Sequence, residues 1–176
     1  MKYLALLRGI NVGGKGTVPM TALKTAFEKA GFTNVSTFIN SGNVLFEAEK
    51  KESDHLAQEI DSFLHTTFFP ISTVVLSEIE LHKIVDNIPQ SWHKNDLRKY
   101  IAFLKVPHKP EEVLQVAQLK EGIDFMEKGP GVVYMSTKMS GLTKSSFPKL
   151  ITKEIYQYMT MRNYNTVQKL LALIEK

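Results

Sequence analysis

The chain has 176 residues, 43% hydrophobic and 23% charged, a balance that excludes a disordered or fibrous protein and allows one large domain or two small ones. It has no cysteine, which excludes a disulfide framework, a thiolate zinc site and a cysteine nucleophile. Its net charge of +4 permits an anionic partner without demanding one.

The apolar run at 3–7 is too short for the core of a signal peptide, and no run approaches the roughly 20 residues of a membrane-spanning helix. A cytoplasmic protein with no membrane partner is therefore expected. Residues 3–8 read as a strand with apolar residues on both faces, hence buried on both sides. A glycine-rich loop follows, then a helix over 19–30 with Met20, Leu23, Phe27 and Ala30 on one stripe. Gly31 ends it as a left-handed residue past the C-cap. Residues 35–40 alternate as a strand, Ser41-Gly42 turns the chain, and 44–47 returns as the hairpin partner. Ser53 is placed to cap a second helix carrying Leu56, Ile60, Phe63 and Leu64 inward. Pro70 stops it, and 71–76 is the next strand. Ser77-Glu78-Ile79-Glu80 has the spacing of a capping box and predicts an extra helix.

Residues 89–96 are polar, contain Trp92 and read as a linker. Beyond it, 100–106 is an apolar strand, and Pro110 opens a helix with Glu111 and Glu112 in its first turn, where the helix dipole favours them. Gly122 closes that helix. Residues 123–126 and 132–135 form a hairpin about Gly129-Pro130-Gly131. A helix over 147–158, a short strand over 160–162, and a terminal helix capped by Asn165 or Thr166 complete the pattern. The second half repeats the element order of the first. The predicted fold is α+β, two tandem ferredoxin-like (βαββαβ) units with an extra helix after each, the first domain over 1–90 and the second over 97–176.

The stretch LLRGINVGGKG at 6–16 joins the first strand to the first helix. Glycines that let the backbone turn sharply, with Arg8 and Lys15 beside them, suit an anion site, because free N–H groups can point at one ligand. Gly9 to Lys15 matches G-x-x-x-x-G-K, but Gly16 stands where a P-loop needs Ser or Thr for Mg²⁺, and the helix starts at Pro19 instead of at the lysine. Nucleotide hydrolysis of the P-loop kind is thus not expected. The alternative is a loop whose glycines only let it pack tightly.

Three runs together, the opening MKYLALLRGINVGGKGTVPM, FINSGNVLF at 38–46 and MRNYNTVQKL at 161–170, resemble the bacterial family called domain of unknown function 1697. The resemblance spans essentially the whole chain. Tyr164 stands where the family's late motif is expected to have Trp, which keeps an aromatic ring. The resemblance implies tandem ferredoxin-like domains and no assigned activity.

Other constellations are weaker. The five histidines make no H-x-x-x-H pair and no recognisable ligand set, so no metal site and no cofactor is predicted. Ser41 lacks the flanking glycine and the strand-to-helix setting of a nucleophile elbow. An RNA-binding sheet face would need aromatics on two central strands, and those strands offer only Tyr3 and Phe46. At 162–165, Arg162, Asn163 and Asn165 gather hydrogen-bonding capacity at a helix start, which suits an anion or a simple cap.

The leading expectation is a protein that binds a phosphate-bearing ligand, a nucleotide or a nucleic-acid backbone, through Arg8, Asn11, Gly13, Gly14, Lys15, Asn40, Asn43, Arg162, Asn163 and Asn165. The alternative is a protein-interaction module or homo-oligomer in which these motifs are structural. No catalytic residue is assigned: an enzyme using Lys15 or Arg162 electrostatically is a third reading, for which the sequence supplies no matched acid–base pair.

Overall fold

The computed structural model describes residues 1–13, 16–93 and 96–176. The chain divides into two units, Met1–Leu81 with Leu170–Lys176, and His82–Lys169. This differs from the expected division into 1–90 and 97–176. Ile84 already belongs to the second unit, where its carbonyl accepts the hydroxyl of Tyr134 at 2.6 Å. At the other end, Leu170 and Ile174 are buried apolar residues, and their segment counts with the first unit.

In the first unit, β1 (Lys2–Leu7), β2 (Thr33–Phe38), β3 (Asn43–Glu47) and β4 (Thr73–Ser77) form an antiparallel sheet in the order β2-β3-β1-β4. Helices α1 (Met20–Lys29) and α2 (Ser53–Thr67) belong with it. Their apolar stripes and the sheet share one core built from Tyr3, Phe27, Leu56, Ile60 and Phe46. Phe27 is its centre, with ring centroids 5.7 Å from Phe32, 5.5 Å from Phe46 and 5.2 Å from Phe63.

Local chemistry sets the ends of these elements. Gly31 has φ +94°. Its N–H reaches Glu28 O while that of Phe32 reaches Phe27 O, the paired bonds of a Schellman motif, sealed by the Phe27–Phe32 contact. Helix α3 (Glu78–Asp86) has the predicted capping box: Glu80 N–H donates to Ser77 Oγ at 3.2 Å, and Ser77 N–H to Glu80 Oε2 at 2.7 Å. Ser53 does not cap α2 as expected; its hydroxyl donates to the same Glu80 oxygen at 2.5 Å. One carboxylate thereby ties the start of α2 to the start of α3.

The second unit repeats the sheet. Strands β5 (Leu97–Leu104), β6 (Asp124–Gly129), β7 (Val132–Lys138) and β8 (Met159–Asn163) lie antiparallel in the order β6-β7-β5-β8. Helix α4 (Pro110–Val116) is short and ends before Gly122, and α5 (Tyr164–Ile174) closes the chain. Trp92, expected in a linker, is buried in a short 3₁₀ turn with its ring 5.6 Å from Tyr134 and 5.1 Å from Tyr164. The helix expected over 147–158 is absent. In its place run two 3₁₀ turns, Phe147–Thr152 and Glu154–Tyr158, preceded by a third, Met139–Lys144. Extended backbone at Ser145 and Lys153 separates them.

A buried carboxylate explains that strap. Asp124 is 4% exposed. Its Oδ1 accepts the hydroxyls of Thr137 and Ser145 at 3.0 and 2.7 Å, and its Oδ2 accepts the N–H and hydroxyl of Ser146, both at 2.8 Å. Burial opposes ionisation, but bonds from the Ser146 N–H and from Ser145, Ser146 and the Lys120 N–H outweigh it and hold the carboxyl below its ordinary range. These bonds fix the strap at Ser145 and Ser146, ahead of its last two turns.

Candidate functional site

The glycine-rich loop leaves β1 at Leu7 and is pinned at two points. Ile10 and Val18 are both 1% exposed and belong to the core of the first unit. Asn11 bridges the two pinned points. Its Nδ2 donates to Val18 O at 3.0 Å and to Asn40 O at 2.9 Å, while its Oδ1 accepts Val18 N–H at 2.8 Å. Asn11 N–H also donates to Gly16 O at 3.0 Å. The expected ligand residue Asn11 is therefore a staple that joins the loop to the hairpin turn 39–42.

The turn meets the loop from its own side. Leu7 N–H donates to Gly42 O at 2.8 Å. A Cβ at Gly42 would sit 2.8 Å from Leu7 Cβ and 2.9 Å from Ile10 Cδ1, and its φ is +74°, so only glycine fits. Asn43 is fully buried, its Nδ2 donating to Phe38 O and Ser41 Oγ, both at 3.0 Å. It shapes the turn from within.

What remains outward is a corner of exposed backbone and side chains. Gly9, Val12, Gly13 and Thr17 of the loop and Ile39 and Asn40 of the turn are exposed, with Arg8 half-buried at the strand's end. Gly13 has φ +62° with open space at its Cβ position. Gly14 and Lys15, both expected in the site, lie outside the described residues. Ile39 went unnoticed in the sequence. It has φ +50° and is 51% exposed. A β-branched residue in the left-handed region is strained, and such strain gathers at ligand and partner sites.

The late motif lies in the second unit, where most of its polar capacity is spent on structure. Arg162 is 7% exposed and donates from one guanidinium nitrogen to Thr160 Oγ1 at 2.8 Å and Met161 O at 2.9 Å. Burial lowers its pKa to about 10. Asn163, not Asn165 or Thr166, caps α5, its Oδ1 accepting the N–H of Asn165 at 2.9 Å. Asn165 itself is exposed.

Among the described residues, no group of three or more His, Asp and Glu could hold a metal ion, and no helix is long and apolar enough to cross a membrane. Two hollows have linings that share no residue with the corner. One of about 270 Å³ is in the first unit along Lys2, Ser36 and Glu47, and one of about 280 Å³ is in the second unit beside Arg98.

These features define an α+β protein with two four-stranded antiparallel sheets and a stapled, outward-facing loop corner. The family described as "Protein of unknown function (DUF1697)" matches residues 1–134, and the chain belongs to that family. The late motif at 161–170 lies beyond the matched residues. Among solved structures, the chain is similar to the conserved bacterial protein SP0830 from Streptococcus pneumoniae. Identity is 25% and the TM-score 0.88, over 99% of this chain and 98% of that one. Comparison with the curated proteins gives no match.

Proposed function

We propose that the protein binds a phosphate-bearing ligand at the loop corner of the first unit. On this reading the strand orders belong to tandem ferredoxin-like units, and a cysteine-free chain works in the reducing cytoplasm. The phosphate lies against the glycine-rich backbone near Arg8 and Gly13, with Gly14 and Lys15 proposed as further ligands from the sequence. The observation that carries the reading is Ile39, held strained and half exposed on a turn that Asn11 ties to that loop. Asn or Gly would fit this backbone at lower cost, so the apolar side chain is retained for what it touches. Val12 is 67% exposed on the loop itself. Two apolar side chains beside a phosphate-suited loop favour a nucleotide, whose base offers an apolar face, over bare phosphate.

The test is calorimetric titration of mononucleotides and short oligonucleotides at two salt concentrations, on wild type, Arg8→Ala and Ile39→Asn. Arg8→Ala is expected to cost about 1.5–3 kcal/mol of binding, the worth of a hydrogen bond to a charged group. A steep loss of affinity with salt identifies a nucleic-acid backbone, and a shallow one a mononucleotide. Absence of binding by every probe overturns the reading. The same exposed pair, Val12 and Ile39, supports one rival, a protein-interaction corner. Concentration-dependent self-association in sedimentation, abolished by Ile39→Asn, would establish that rival.

A further inference from the structure

We infer that the second unit holds a separate binding groove for a small, flat monoanion, an aromatic carboxylic acid of one or two rings. The groove lies where the 3₁₀ strap leaves one end of the sheet uncovered. Strand register places its floor: Arg98 is opposite Thr137, Tyr100 opposite Met135, and Met161 opposite Ala102, so these side chains share one face. Farther along that face the sheet is closed by core residues such as Ala102, Val133 and Leu150. Phe147, Pro148 and Ile151 of the strap form the wall.

Three properties of the groove select the ligand. Its volume of about 280 Å³ lies at the small end of ligand pockets, right for one or two rings and too tight for a nucleotide. Its wall is apolar and wet: Ile151 is 60% exposed and Met161 36%. Apolar side chains left open around a concavity gain from an apolar guest. Among the described residues, Arg98 is the one charged residue of the lining. Its guanidinium carbon lies 5.7 Å from the centre of the Tyr100 ring, which holds it over the groove floor by cation–π attraction. Among the described residues, no carboxylate is within ion-pair distance of it.

One guanidinium in an apolar setting balances one negative charge. A carboxylate meets it with two parallel hydrogen bonds, whereas a phosphate dianion would bring a second charge that the groove does not neutralise. The polar end of the groove adds selectivity. Thr137 and Ser145 spend their hydroxyl hydrogens on Asp124 at 3.0 and 2.7 Å. Toward the groove they can only accept, which repels an anion there and directs the carboxylate to Arg98.

The test uses 2-naphthoate, 2-naphthamide and 2-naphthyl phosphate, followed by amide chemical shifts in ¹⁵N-labelled full-length protein. Naphthoate is expected to perturb Thr137, Phe147, Ile151 and Met161 saturably. Naphthamide should bind about tenfold more weakly, and Arg98→Met should bring naphthoate down to the naphthamide level without lowering Tm. Ile151→Glu, on the exposed wall, should also weaken naphthoate by placing a like charge beside it. Shifts elsewhere, equal binding of acid and amide, or unchanged naphthoate affinity in either variant would overturn the groove site. Tighter binding of the naphthyl phosphate would overturn the monoanion class. Every one of these results is independent of the loop corner, which lies in the other unit.

Discussion

The two units share a strand order and differ in how the sheet is covered. The first uses two regular helices and an aromatic core centred on Phe27. The second has one short helix and a strap of 3₁₀ turns pinned by the buried carboxylate of Asp124. Apolar cover is continuous and non-directional, so the first sheet's helix side is filled. Polar pinning is directional: it fixes the strap at its start and leaves the sheet's end beside it open. The same topology thus gives a filled core in one unit and a groove in the other.

The largest expected effect probes the apolar side of this contrast. Phe27→Ala removes the ring touched by three others and should cost about 3–5 kcal/mol in denaturant unfolding. A loss near 1 kcal/mol would mean that the surrounding rings close the cavity. Next comes the polar side. Asp124→Ala removes the acceptor of five hydrogen bonds, one of them from buried Thr137, and should cost about 3 kcal/mol. The effect carries a pH signature. Because the folded carboxyl titrates below its ordinary value of 3.8, its stabilisation is complete above that value and is lost as pH falls through the folded pKa. Wild type should therefore lose stability below about pH 4 more steeply than Asp124→Asn, whose side chain does not titrate. Equal acid slopes in the two proteins would show that Asp124 is not the acid-sensitive pin.

Much of the first unit is legible in local sequence, and much of the second is not. The Gly31 stop, the Ser77–Glu80 capping box and the hairpin about Ser41-Gly42 depend on residues a few places apart, so spacing alone reveals them. The roles of Asn11, Asn43 and Arg162 depend on partners that folding supplies. The residue types that bind a ligand are the same ones that staple a loop or fill a turn, and only burial separates the two uses. Asp124 gave no signal, because the Ser145-Ser146 pair ahead of Pro148 reads as an ordinary helix start. Nothing in the local pattern reveals that Ile39 occupies a glycine's conformation.

Smaller effects sharpen the comparison further. Glu80→Ala should cost about 1–2 kcal/mol, because it removes a cap and an acceptor for Ser53. Thermal unfolding checks this, and a neutral result would make the node ornamental. Ile39→Asn should gain about 1 kcal/mol, since asparagine accepts the left-handed region at less cost. Stabilisation combined with weakened nucleotide binding would mark a residue kept for function at the expense of the fold. Destabilisation would show that Ile39 serves packing after all.

The membership of residues 170–176 in the first unit bears on how the protein is made. During synthesis the segment up to Leu81 emerges early, yet its last seven residues are translated only after all of the second unit. At about 5–20 residues per second, that interval is roughly 5–20 seconds. Throughout it, the nascent first unit exists without this late segment. A chain truncated before Leu170 would therefore lose part of the unit that it began with. Cutting the chain in the 89–96 stretch would likewise part the first unit from its own C-terminal piece, so the two fragments should regain stability only when mixed.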